Sequence, residues 1–168
     1  MGRSSAADGL AYQPITEPWD AALQLFRFAG AWAPAPPDLH AGWGARLGDR
    51  LVGAVLMERA GTTAMLHGPV VVAPPGMSAE EMLGVAGELT AQALGHAGSA
   101  GIETVFARPQ GLDRVWIRAG FIPVPEAELP RALRGRPGLG LFGWRGGTAL
   151  WSTAGRSGSR SALARGEH

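Results

Sequence analysis

The feature that most constrains this chain is a long amphipathic run, from Ser78 to about Ala97, set between two strand-like segments. Ser78-Ala-Glu-Glu81 reads as a capping box, a serine with a glutamate three residues on. Met82, Val85, Ala86, Leu89, Ala93, Leu94 and Ala97 then recur at helical spacing and form one apolar stripe. Before the run, Thr63 to Val72 reads as a strand. After it, Ile102 to Ala107 alternates as a buried strand, and Leu112 to Ala119 suits a short helix stopped by Gly120. The stretch from Met65 to Phe121 is thus strand, long helix, strand, short helix. A helix that starts directly after a strand offers free amides and the positive end of its dipole to an anionic ligand.

The preceding sequence supplies the rest of a sheet. Leu10 to Ile15 carries a proline and suits an edge strand. Thr16 is a candidate N-cap for a helix reaching Phe28, with Pro18 in its first turn and Gly30 ending it. Residues 31 to 42 hold Pro34, Pro36 and Pro37 and read as an irregular loop of the kind that lies over a cleft, with Trp32, His40 and Trp43 in or beside it. Trp43 to Leu47 and Arg50 to Glu58 read as a hairpin turning at Gly48-Asp49. Gly68-Pro69 falls inside the next strand, where proline cannot donate to a ladder, so a bulge is expected there. Phe121 to Val124 begins a further strand, residues 125 to 138 read as a loop, and Leu139 to Trp144 as a last strand. The count is about seven strands and three helices in a mixed sheet, an α/β (α+β) domain spanning 10 to 145. Residues 1 to 9, and 146 to 168 with their Gly, Ser and Arg, read as flexible tails.

Composition closes several routes. The chain has no cysteine, which excludes a thiolate nucleophile, disulfides and a zinc–thiolate site. All 15 basic residues are arginine, so a catalytic lysine is excluded. A net charge of +1 argues against nucleic acid as a partner, although Arg131, Arg134, Arg136, Arg145, Arg156, Arg160 and Arg165 cluster late in the chain. With no spanning apolar run and no leader, the expectation is a cytoplasmic protein that does not engage a membrane.

Three features resemble the GNAT superfamily of acyl-CoA-dependent N-acetyltransferases: Gly53 within Leu51-Val-Gly-Ala-Val, the strand–helix unit around Ser78, and Trp116-Ile-Arg-Ala-Gly-Phe121, which is similar to the family's Y-x-x-x-G-F. The resemblance covers roughly residues 10 to 145. It implies a mixed, mostly antiparallel sheet flanked by helices, with the fourth strand splayed from the fifth. It implies acetyl-CoA, or another acyl-CoA, as co-substrate with no metal. A Q/R-x-x-G-x-G/A segment would open the long helix at Glu81-Met-Leu-Gly84-Val-Ala86, with glutamate where the family has arginine or glutamine. The implied cofactor-binding residues are Val70, Val71 and Val72 on the strand, Met82, Leu83, Gly84, Val85 and Ala86 on the helix, and Trp116. As residues alone, Gly84 equally suits close packing of helix on sheet.

Acyl transfer to an amine needs a base for the ammonium and an acid for the departing thiolate. The family's acid is a tyrosine where this chain has Trp116, and indole does not supply that proton. The candidate catalytic residues are His67 on the fourth strand and Glu103 on the fifth. Glu58 reads as a surface ion pair at a strand end, His40 as a loop residue that could reach an acceptor, and His96 as complementing its helix's C-terminal dipole. The expected acceptor is a small-molecule amine or a peptide N-terminus, and a homodimer is left open. The alternative is a non-catalytic GNAT-like CoA-binding or protein-interaction module.

Overall fold

The computed structural model describes residues 9–31, 34, 38–108, 112–133 and 150–153. In chain order its elements are β1 (Leu10–Ile15), α1 (Asp20–Phe28), β2 (Leu39–Leu47), β3 (Arg50–Ala60), β4 (Thr63–Val71), α2 (Ala79–Ser99), β5 (Thr104–Ala107), α3 (Asp113–Arg118), β6 (Ile122–Val124) and β7 (Leu150–Ser152). The seven strands form one sheet in the order β1-β2-β3-β4-β5-β7-β6. Only β4 and β5 pair in parallel, and α2 is the crossover between them. This is the mixed, mostly antiparallel architecture that the sequence predicts.

Strand alternation sends two apolar sets to opposite faces. On one face Val55, Met57, Ala64 and Leu66 pack under Val85, Leu89 and Ala93 of α2 and Val115 and Trp116 of α3. On the other, Ala54, Leu56 and Val70 pack under Trp19, Ala22, Leu23 and Phe26 of α1. A third cluster on that second face joins Met65 and Phe106 to Val124, Leu129 and Leu133, the last two from the segment that follows β6. Gly53 lets α2 settle low on the sheet. A Cβ there would lie 3.1 Å from Leu89 Cδ1, 3.2 Å from Val85 Cγ1 and 3.3 Å from the Val70 carbonyl.

Three sequence expectations are corrected. β2 starts at Leu39 rather than Trp43, so His40 is a strand residue and not part of the loop. The N-cap of α1 is Trp19 and not Thr16, and it makes no side-chain capping bond. The expected strand at 139–144 lies outside the described residues. A seventh strand is described at Leu150–Ser152, inside the stretch read as a tail, so strand structure is present past residue 145. Three residues have no periodicity to read. They form a strand because β5 and β6 pair with them on either side, at Phe106↔Ser152 and Ile122↔Ser152. Thr153 adds a backbone bond to the Val105 carbonyl (3.1 Å), and its Oγ1 accepts from the Val105 N–H (2.9 Å).

Candidate active site

The site is built around an irregularity in β4. Its ladder with β3 is regular from Ala60↔Thr63 to Leu56↔His67 and resumes at Ala54↔Val70. Two steps on β3 therefore face three on β4, a β-bulge at Gly68-Pro69. Gly68 holds φ +86° and the Gly68–Pro69 peptide is cis. On its other side β4 pairs with β5 only from Thr63↔Thr104 to Leu66↔Ala107. Beyond that point β5 ends while β4 continues to Val71. The two strands part at His67, and the bulge expected from Gly-Pro sits at the mouth of the gap.

The backbone of β4 beyond the parting has a definite direction. The Val72 N–H donates to the Val52 carbonyl at 2.8 Å. Antiparallel pairs alternate between bonded and non-bonded, so Val71, opposite Gly53, is turned away from β3. Of the expected amides Val70, Val71 and Val72, only that of Val71 is directed into the gap.

His67 stands at the apex. It is directly opposite Leu56 and shares its face of the sheet, the α1 face. Its Nε2 lies 2.9 Å from Glu58 Oε1, and both residues are buried, at 7% and 3% exposure. The reading of Glu58 as a surface ion pair is thereby overturned. β3 runs two residues beyond Glu58, and Leu133 of the following segment packs against the neighbouring Met65. A neutral His67 that donates from Nε2 to this carboxylate keeps its basic lone pair on Nδ1. Sequence reasoning gave no role to Arg108, the buried residue that follows the last paired position of β5. Alternation after Phe106 sets it on the same face as His67. The only signal available was an arginine at the end of an apolar strand.

Glu103 is not brought to this apex. It is exposed, and its N–H donates to the Thr62 carbonyl (2.7 Å) beside the Thr63↔Thr104 pair. That is four residue steps back along β4 from His67, about 13 Å at strand spacing. Tyr12, the only tyrosine, is on β1, three strands away from β4. Burial, and then the carboxylate of Glu88, push its pKa above the ordinary tyrosine value.

On the opposite face, α2 begins with Ser78 as its N-cap. Ser78 Oγ accepts from the Glu81 N–H (3.1 Å), and Glu81 Oε1 accepts from the Ser78 N–H (3.2 Å). The Met82 N–H is spent on the Ser78 carbonyl (3.0 Å). The expected phosphate turn at Met82, Leu83, Gly84, Val85 and Ala86 is therefore helix body, and Val85 and Ala86 are buried against the sheet. Ser78→Ala is expected to lower the stability of the chain by about 1 kcal/mol in denaturant titration. Trp116 is fully buried, with its ring 5.1 Å from that of Phe121, and packs in the core under α3. The open space on this face is a cavity of about 480 Å³ between α2 and α3, lined by Gly84, Gly87 and Ala91 on one side and Arg114 and Arg118 on the other. A Cβ added at Gly84 would meet nothing within 4 Å. Close packing therefore does not explain this glycine; the space beside it is open.

A second cavity, of about 360 Å³, lies at the end of β1 and is lined in part by Glu17, Trp19, His40 and His96. A bulge between Leu39 and Ala41 re-aims His40 toward α2, where its Nε2 lies 3.2 Å from that of His96. Burial, then His96 and Arg59, push the pKa of His40 below the ordinary value of 6.5. As pH falls through that value, the unfolded chain takes up this proton before the folded one, so stability present above it is lost below it. The Tm of the wild type relative to His40→Gln should therefore drop on acidification from about pH 7.5 to about 5.5. Among the described residues no group of three or more His, Asp or Glu is placed to hold a metal ion, and no helix is long and apolar enough to cross a membrane.

No model of a known sequence family matches the chain, and no curated protein matches it in sequence. Solved structures do match in fold. The ribosomal-protein-S18-alanine N-acetyltransferase of Escherichia coli superposes with a TM-score of 0.57 at 10% identity, over 85% of this chain and 92% of that one. A GNAT-family acetyltransferase of Staphylococcus aureus gives 0.58 at 8% identity, over 85% and 97%. N-acetylglutamate synthase of Neisseria gonorrhoeae, in complex with coenzyme A and L-arginine, gives 0.59 at 14% identity, over 85% of this chain and 32% of that one.

Proposed function

We propose that this chain, whose fold is that of the GNAT acetyltransferases, is a divergent member of that superfamily that transfers an acyl group from acyl-CoA to a primary amine. The observation that carries the reading is the buried His67–Glu58 pair at the point where β4 leaves β5. The groove between α2 and α3 is on one face of the sheet and the histidine on the other. A thioester entering the gap from the α2 face would meet an amine arriving from the α1 face. The two substrates then need no common entrance.

The co-substrate supplies an activated acyl carbon. The chain's own residues supply the rest. Glu58 fixes the orientation and tautomer of His67, which takes the proton of the attacking ammonium on Nδ1. The Val71 N–H points into the gap, where it can donate to the thioester carbonyl oxygen as negative charge develops there. The gap itself, closed at Leu66↔Ala107, fixes how deep the acyl end can reach. With Trp116 buried and Tyr12 remote, the thiolate is protonated from His67 or through water. Gly84 and Gly87 leave room for the body of the cofactor. The acceptor is a small amine or a peptide N-terminus, and the site of action is the cytoplasm.

Incubating the full chain with acetyl-CoA and a panel of amines and peptide N-termini, while following thiol release, tests this. Acceptor-dependent release supports the reading. The second reading, a non-catalytic CoA-binding or interaction module, is favoured by the self-capped start of α2. It predicts binding of acetyl-CoA without turnover on any member of the panel.

A further inference from the structure

The acyltransferase reading requires a site for the cofactor's phosphates, and the start of α2 is poorly suited to provide one. Its first turn carries Glu80 and Glu81, and the Glu81 carboxylate already sits on the backbone N–H of the N-cap. An arriving phosphate would meet like charge, with the Glu81 and Met82 amides already engaged.

The groove between α2 and α3 has the complementary character. Gly84 and Gly87 line it from α2, and a Cβ on either would meet nothing within 4 Å. Each glycine costs about 1 kcal/mol against alanine in a helix interior, with no gain in packing to offset it. Their effect is to keep this wall of the groove low. From the other wall come Arg114 and Arg118, four residues apart on α3 and hence on one side of it. Both are exposed, and neither forms an ion pair among the described residues. Two guanidinium groups side by side repel each other, whereas a diphosphate between them would accept from both in the fork geometry that arginine favours.

We propose that Arg114 and Arg118 hold the phosphates of the CoA co-substrate, in place of the amide turn that opens the long helix in the superfamily. The inference rests on the acyltransferase reading and adds to it which side chains recognise the nucleotide end. It also accounts for the tolerance of Glu81: the phosphates are carried farther along α2, beside Gly84 and Gly87, and away from that carboxylate.

The test is calorimetric titration of the full chain, wild type and the double variant Arg114→Gln/Arg118→Gln, with CoA and with phosphate-free pantetheine. The double variant is expected to bind CoA on the order of thirtyfold more weakly, with pantetheine binding and Tm unchanged. Salt should weaken CoA binding to the wild type more than to the variant. Unchanged CoA affinity in the variant would overturn the inference and leave the acyltransferase reading standing. So would an equal loss for pantetheine, which would mean that the arginines shape the groove without reading phosphate. Failure of the wild type to bind CoA at millimolar concentration would overturn both.

Discussion

His67→Gln is expected to lower kcat for amine acylation by about a hundredfold to ten-thousandfold while leaving CoA affinity near that of the wild type. The expectation follows from what glutamine keeps and what it loses. Its side-chain amide can still donate to Glu58, so the carboxylate at 3% exposure is not left without this partner, and the core between α1 and the post-β6 segment stays packed. Glutamine has no basic nitrogen, so the proton of the ammonium must go to water. A solely structural His67 gives a different pattern, a lower Tm with kcat per folded molecule unchanged.

Gly68→Ala is expected to destabilise the chain by about 2–4 kcal/mol, or roughly 6–12 °C in Tm for a domain of this size. Two independent costs add. At φ +86° an L side chain is strained whatever the space around it. The added Cβ would also lie 2.9 Å from the Val70 nitrogen, 3.0 Å from Phe26 Cζ and 3.1 Å from the Ala54 carbonyl oxygen. Two of those three neighbours are backbone of the β3–β4 ladder, which cannot turn aside as a side chain can. Thermal and denaturant unfolding measure the effect, and an unchanged Tm would show that the bulge is not held in this form. Because the bulge separates His67 from Val71, the folded fraction of the variant should also lose activity.

The parts of this molecule that were legible in its sequence are those whose signals are local. The capping box at Ser78 and the stripe from Met82 to Ala97 announce α2 because capping and helical spacing are properties of a few turns of chain. Gly68-Pro69 announces an interrupted ladder because proline carries no amide donor. His67 could be singled out as a lone histidine in an apolar strand. Its partner could not be, because Glu58 meets it only through the register of two strands. Prolines 34 to 37 concealed the early start of β2 and the strand position of His40. Leu150–Ser152 was read as tail because it is strand only by virtue of β5 and β6 beside it. The pattern that matched the helix start of the superfamily aligned with Gly84, which does line the groove, although as cleared space along the helix and not as an amide turn. Trp116 occupied a functional position in the pattern and a core position in the fold.

On the proposed reading, the acyl end of the cofactor enters the β4–β5 gap and stops beside His67. A crystal structure of the full chain with CoA tests it most directly. In it the pantetheine arm is expected to run along β4 past Val71, with its sulfur at the apex above Leu66↔Ala107 and within reach of the His67 ring. CoA bound with its sulfur elsewhere and the gap closed would contradict it.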